Sequence, residues 1–254
     1  MRNPKPRGRA VQTAAPVARL RTFYIAFAVI AVLIVIGVVY NIYGKPAETA
    51  KTVVATIPAL RSADIAMGKT DDGRYYIGKA DAPVTVVEYA DYQCPGCGFY
   101  ANSLSAAFEK DFVATGKVRL IYQDFPLPMH VNSVHAAIAA RCAGNQSVGA
   151  FWQYHDVLFA NQNQWKELET VAFKQQNIVY ATQMGLDSTA FAACIDVPES
   201  ERTVRDFQKK SNALGLPGTP SFAVQGKIVD ASSAKSIDDI DALVRTAISA
   251  ALGN

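Results

Sequence analysis

The chain has 254 residues, half of them hydrophobic, with 25 Lys and Arg against 22 Asp and Glu and a formal charge of +3. That length holds one large domain or two small ones, and the hydrophobic share is ordinary for a chain with a packed core. The charge is uneven. Residues 1–22 carry Arg2, Lys5, Arg7, Arg9, Arg19 and Arg21 and no acid, which leaves 19 basic against 22 acidic residues in the rest. Basic character confined to a tail gives no reason to expect a nucleic-acid partner.

Residues 23–43 follow that tail as 21 residues without a charge, rich in Val, Ile and Ala. At ~1.5 Å per residue such a helix spans ~30 Å, the hydrocarbon thickness of a bilayer. A cleaved signal peptide has a shorter apolar region, ~7–15 residues, followed by a small-x-small site. Residues 44–50 offer no such site, so the reading is an uncleaved, single-pass transmembrane helix. The basic flank precedes the span, and the positive-inside rule keeps the N-terminus cytoplasmic. Everything after the span is then extracytoplasmic, periplasmic or at the cell surface, where disulfides persist.

Residues 44–74 read as a tether. Pro46, Pro58 and scattered charge interrupt any apolar period, and Thr70-Asp71-Asp72-Gly73 reads as a turn. A globular domain is expected from 75 to 254, with Tyr75-Tyr76-Ile77 as a short first strand. Residues 84–90 form a near-continuous apolar run, the pattern of a strand buried on both faces. Next comes Cys94-Pro95-Gly96-Cys97, and then an amphipathic helix with Tyr100, Leu104, Phe108 and Phe112 on one face, ending at Gly116. Residues 118–122 form a second strand, which completes a βαβ unit. Residues from about 127 to 214 then read as a helical insertion. Val134, Ile138 and Cys142 share a face there, and a last helix turns Val204, Phe207 and Leu214 inward. Residues 221–224 and 227–229 flank Gln225-Gly226 as a hairpin, and a Ser236-x-x-Asp239 capping box opens the final helix. The fold class is α/β.

A C-x-x-C at a strand-to-helix junction serves thiol–disulfide exchange, because the helix N-terminus stabilises the thiolate that the chemistry needs. By itself the motif is also half of a four-ligand zinc site. His130, His135 and His155 are not spaced with the cysteines as a finger, ribbon or H-E-x-x-H site, and read as satisfied or surface histidines. Trp152 and Trp165 read as core of the insertion. Cys142 and Cys194 are 52 positions apart in the helical block. In an oxidising compartment they read as a structural disulfide, the rival being a second, regulatory redox pair.

A C-x-x-C after the first βαβ strand, a helical insertion, and Gly218-Thr219-Pro220-Ser221-Phe222 leading into a hairpin together resemble the thioredoxin fold. The run Asp81-Ala82-Pro83 through Tyr89 leading to Cys94 is similar to the entry strand of DsbA-like thiol:disulfide oxidoreductases. The resemblance covers residues 75–252 and not the tail, anchor or tether. It implies Cys94 as the attacked and attacking sulfur and Cys97 as the resolving one. It also implies that Thr219 and a cis Pro220 form the loop that pairs with an extended substrate, and that Glu88 serves proton transfer at Cys97. The other reading of Glu88 is a carboxylate on a solvated sheet edge; Asp91 and Asp124 are alternative acids, read as solvated or capping. Gly96 departs from the histidine common before the second cysteine in DsbA-like proteins, which puts the direction of electron flow in doubt.

The function expected is oxidation of dithiols in exported proteins through the Cys94–Cys97 disulfide and a mixed-disulfide intermediate. The alternatives are a reductase or isomerase, and a copper- or zinc-delivery module on the same motif. No metal and no cofactor beyond the redox disulfide are expected. The partners expected are exported substrate proteins with thiols, a recycling redox protein in or outside the membrane, and the membrane itself through residues 23–43.

Overall fold

The computed structural model describes residues 17–43, 55–59, 61 and 64–253. The chain divides into two compact units, Met1–Lys51 and Thr52–Asn254. In the first, α1 runs Val17–Tyr43, and residues 24–38 and 40 are exposed. The other side chains of the expected 23–43 anchor lie outside the described residues, as do residues 1–16 of the tail and 44–54 of the tether. The continuous described run 24–38 is shorter than the ~20 residues a bilayer crossing needs. Among the described residues no helix is long and apolar enough to cross a membrane.

The second unit is built on a six-stranded sheet. Its strands are β1 (Met67–Lys69), β2 (Tyr75–Ile77), β3 (Val84–Ala90), β4 (Val118–Asp124), β5 (Ser221–Val224) and β6 (Lys227–Ile228). They lie in the order β1-β2-β4-β3-β5-β6, with β3 and β4 parallel and the other pairs antiparallel. In β3 only Thr85 escapes full burial, as expected of a strand covered on both faces. The β5–β6 hairpin turns on Gln225 and Gly226, with φ of 50° and 77°, the pair of positive values that a tight type I′ turn requires.

The β3–β4 crossover is one helical run with changes of pitch: α2 (Pro95–Phe99), a π-helical turn Tyr100–Leu104, α3 (Ser105–Phe108) and a second π-helical turn Glu109–Val113. The reason lies in the sequence spacing. Apolar residues four apart drift around a 3.6-residue helix, and a π turn absorbs the excess residue. Tyr100 and Phe108 thereby stay fully buried, and Val113 takes the core position beyond them while Phe112 is only partly buried.

The insertion contains α4 (Ser133–Gly144), α5 (Val148–Ala160), α6 (Gln162–Trp165), α7 (Thr170–Gln183), α8 (Ser188–Ile195) and α9 (Pro198–Asn212). Trp152, Trp165, Phe151 and Phe173 fill its core. Val204 and Phe207 face inward, but Leu214 is half exposed, because α9 ends at Asn212 and the chain turns away through Gly215 at φ 65°. The last helix, α10 (Ile237–Ala251), opens with the reciprocal Ser236–Asp239 capping box.

The tether expectation needs correction where the residues are described. Met67–Lys69 pairs with β2, so the sheet starts before residue 75. Upstream, Thr56 N donates to Asn161 Oδ1, and Asn161 Nδ2 returns a bond to Thr56 O, each at 2.8 Å. Arg61 lies in an ion network on α5 and the second π turn. The composition of this segment is loop-like, yet Thr56 and Arg61 are bonded to side chains of the domain.

Candidate active site

The β3 strand ends at Ala90 and delivers the chain into a short loop ending at Cys94. Asp91 holds this loop. Its Oδ1 accepts from Gln93 N at 2.7 Å and from the Ser133 hydroxyl. Its Oδ2 accepts from Leu127 N at 2.8 Å and meets His130 Nδ1 at 2.7 Å. Asp91 is therefore a buried hub joining the strand end to the start of the insertion, not a solvated acid. Asp124 is also buried, paired with Arg141.

Cys94 occupies the N-cap of α2 in extended conformation, with Pro95 in the first turn, where its missing N–H leaves nothing unpaired. Its thiol donates to Thr219 O at 3.2 Å, and the Thr219–Pro220 peptide is cis. Cys97, one turn into the helix, is fully buried, and neither sulfur is in a disulfide. The two thiols are pushed in opposite directions. The Cys97 thiol beside it is the largest cause that draws Cys94 down, to about 6. Burial opposes this, and the Thr219 side chain and the Cys97 and Gly96 N–H groups add to it. Burial pushes the Cys97 thiol well up, reinforced by Cys94 and, more weakly, by Glu88. A thiol that titrates at about 6 is about nine-tenths ionised at pH 7. The site therefore offers one stable thiolate and one thiol that holds its proton.

Two glycines let the helix start lie so close to its surroundings. A Cβ on Gly96 would sit 3.1 Å from Ile237 Cδ1 and 3.3 Å from Pro220 Cδ, so the position is filled by its neighbours. A Cβ on Gly98 would fall 2.5 Å from Gln162 Oε1. The Gln162 amide needs that space: its Nε2 donates to Tyr92 O and Cys94 O, both at 2.8 Å. Gln162 is 65 positions beyond the motif, on a four-residue helix, and no local pattern marks it. Cys94 O keeps a second donor in Gly98 N, but Tyr92 O has no other such partner among the described bonds. Replacing Gln162 with Ala is expected to cost ~1–3 kcal/mol, the penalty of one orphaned buried carbonyl. Urea denaturation of the reduced protein measures it.

Glu88 lies on β3 between Tyr122 and Phe222 of the neighbouring strands and is buried, which excludes the solvated-edge reading. Burial drives its pKa up to about 8. That value is the net of burial, the largest cause, with Glu109 adding to the rise and Arg61 opposing it. Glu88 is thus mainly a neutral acid at pH 7. Cys142 and Cys194 form a disulfide between α4 and α8, away from the motif in the fold's helical block. Among the described residues no group of three or more His, Cys, Asp or Glu side chains is placed to hold a metal ion.

Residues 70–245 match the family model described as Thioredoxin. The chain belongs to the thioredoxin family. Among curated relatives of this thioredoxin-family chain is a probable disulfide bond formation protein D of Bacillus anthracis. It is 27% identical over 202 residues, covering 79% of this chain and 86% of that protein. A sodium/proton antiporter of Salinispora tropica is 30% identical over 165 residues, 65% of this chain. The chain spans only about a quarter of that antiporter's length, 23%. Among solved structures, oxidised BdbD from Bacillus subtilis superposes with a TM-score of 0.63 at 24% identity, covering 75% of this chain and all of that one.

Proposed function

We propose that this thioredoxin-family protein oxidises dithiols in proteins exported from the cytoplasm, held to the membrane by residues 23–43 with its catalytic domain outside. The observation that carries the reading is the divergence of the two thiols. Cys94 is drawn down to about 6 at a helix N-terminus and Cys97 is pushed up. A stabilised thiolate favours the dithiol form, which makes the disulfide form the better oxidant. The relatives named for disulfide bond formation and the uncharged run behind a basic tail support the same reading.

The reaction balances as follows. A substrate thiolate attacks Cys94 Sγ of the Cys94–Cys97 disulfide, the S–S bond breaks, and Cys97 leaves as a thiolate that takes a proton from Glu88. The second substrate thiolate attacks the substrate sulfur of the mixed disulfide and expels Cys94 as a stable thiolate. The substrate loses two electrons to form its disulfide and the site gains them. A second protein of opposite redox poise then re-oxidises Cys94 and Cys97, and no cofactor beyond that disulfide takes part. The backbone of Thr219, beside Cys94, lies where an extended substrate segment would pair.

A Cys94 near 6 falls between the thiol values of thioredoxin and DsbA, ~7 and ~3.5, nearer the former. The reduction potential should accordingly lie at roughly −230 to −180 mV, more oxidising than the ~−270 mV of thioredoxin. Equilibration against glutathione buffers measures it. A value at or below ~−270 mV would establish the reductase reading, which the small Pro95-Gly96 pair favours.

A further inference from the structure

The three residues between β3 and Cys94 are held from the insertion. Asp91, 1% exposed, takes four donors on its carboxylate: Gln93 N and the Ser133 hydroxyl on Oδ1, Leu127 N and His130 Nδ1 on Oδ2. A carboxylate only accepts, so His130 donates from Nδ1. Ser133, Leu127 and His130 all come from the stretch that leads into α4. The Asp91 backbone continues the hold, because Cys94 N donates to Asp91 O at 3.1 Å. Gln93 ties the loop to the same stretch and beyond it. Its Oε1 accepts from Asn132 N at 2.8 Å, and its Nε2 donates to Lys166 O at 2.6 Å. His130 is the member of this set that reaches solvent, with 19% of its side chain exposed.

We infer that Asp91 and His130 are positioning residues for the reaction at Cys94: their bond clasps the start of the insertion to the loop that sets the Cys94 sulfur at the N-terminus of α2. The inference rests on Cys94 as the reacting sulfur of the proposed oxidation. That sulfur works only where it stands. It donates to Thr219 O at 3.2 Å, and Cys94 caps the first turn of α2. Hydrogen bonds weaken steeply as their geometry opens, and the field of a helix end falls off within one turn. A loop that swings free of the insertion therefore takes Cys94 out of the surroundings that stabilise its thiolate. The site calls for a carboxylate in particular. An amide at position 91 must turn its NH2 towards either Gln93 N or Leu127 N, and neither has another acceptor among the described bonds. One side of the clasp then opens whichever way the amide lies.

The test follows the Cys94 thiolate by its absorbance against pH in the reduced full chain. Beside it are measured the rate at which the oxidised chain oxidises a small dithiol at pH 7, the equilibrium with glutathione, and the urea midpoint. In Asp91→Asn the Cys94 midpoint should rise from about 6 to about 7. The equilibrium with glutathione should then move about fivefold towards the disulfide, the thiolate stabilisation lost at pH 7. The rate should fall severalfold, because Cys94 becomes a poorer leaving thiolate. The sign separates position from charge, since removing a negative charge alone lowers the midpoint of a nearby thiol. His130→Ala leaves Asp91 its three other donors and should raise the Cys94 midpoint by less. His130→Asn, whose amide nitrogen can stand where Nδ1 stood, should recover most of that change. The His130 pair decides the matter if Asp91→Asn does not fold. A lowered urea midpoint with the Cys94 midpoint and the rate unmoved would make the clasp a structural contact only and overturn the inference. A fall of the Cys94 midpoint in Asp91→Asn, or equal shifts in His130→Ala and His130→Asn, would overturn it as well. A wild-type potential in the reductase range with the expected shifts intact would remove the oxidase reading alone.

Discussion

Cys94→Ser is expected to abolish dithiol oxidation, and Cys97→Ser to stall the reaction as a mixed disulfide. The difference follows from position. Cys94 caps α2 with its sulfur against Thr219 O, while Cys97 is fully buried. Cys94 is itself buried but keeps 8% of its surface open, whereas Cys97 has none, so of the two sulfurs Cys94 is the one a substrate can meet. With Cys94 gone, the remaining thiol is both inaccessible and protonated, so the rate should fall to that of buffer. With Cys97 gone, Cys94 can still be captured by an oxidised substrate, but no internal thiol is left to release it. Gel shifts under non-reducing conditions, with free thiols blocked, separate the two cases. A third variant checks the electrostatics. Because Cys97 is the largest cause holding Cys94 at about 6, Cys97→Ala should let Cys94 rise towards the unperturbed ~8.5, read from thiolate absorbance against pH. A Cys94 that stays near 6 in that variant would place the stabilisation in the helix N-terminus and Thr219 instead.

The residues proposed to carry the chemistry stood out in the sequence because their signals are local. A C-x-x-C after an apolar strand, a Thr-Pro before a hairpin, and an acid inside a buried strand each announce themselves within a few positions. The βαβ frame and the helical insertion were legible for the same reason, through period and turn chemistry. What supports the site was not. Gln162 and Asp91 act through backbone carbonyls and amides of distant segments, and no periodicity encodes a partner 70 positions away. Arg61 was hidden twice. Its segment has the composition of a linker, and its partners, Glu109 and Asp156, come from two helical elements far along the chain. Both π turns were also missed, although the four-residue apolar spacing that they accommodate was visible. The general cause is the same: sequence patterns report which face is apolar, and long-range polar satisfaction leaves no pattern.

Removing the Cys142–Cys194 disulfide should destabilise the domain without changing the chemistry at Cys94. The bond links α4 to α8 across 52 positions. Closing a loop of that length in the unfolded chain is worth about 4 kcal/mol in the chain-entropy account. For a domain of roughly 200 residues that corresponds to a fall in Tm of roughly 8–16 °C. The double variant Cys142→Ala/Cys194→Ala is the right comparison, because either single variant leaves a thiol that can pair wrongly with Cys94. The coupling to the active site is indirect. α4 begins beside Asn132 and Ser133, which bond Gln93 and Asp91 in the loop before Cys94. If the disulfide serves only to stabilise, the oxidation rate at 25 °C should be unchanged while urea denaturation shifts to lower concentration. If it is instead a second redox pair that regulates the first, reducing it should alter the potential of Cys94–Cys97 under conditions where the fold is intact. Measuring that potential in the wild-type and double-variant proteins separates the two, since a staple on α4 and α8 alters the stability of the whole domain and leaves the thiolate at the N-terminus of α2 where it was.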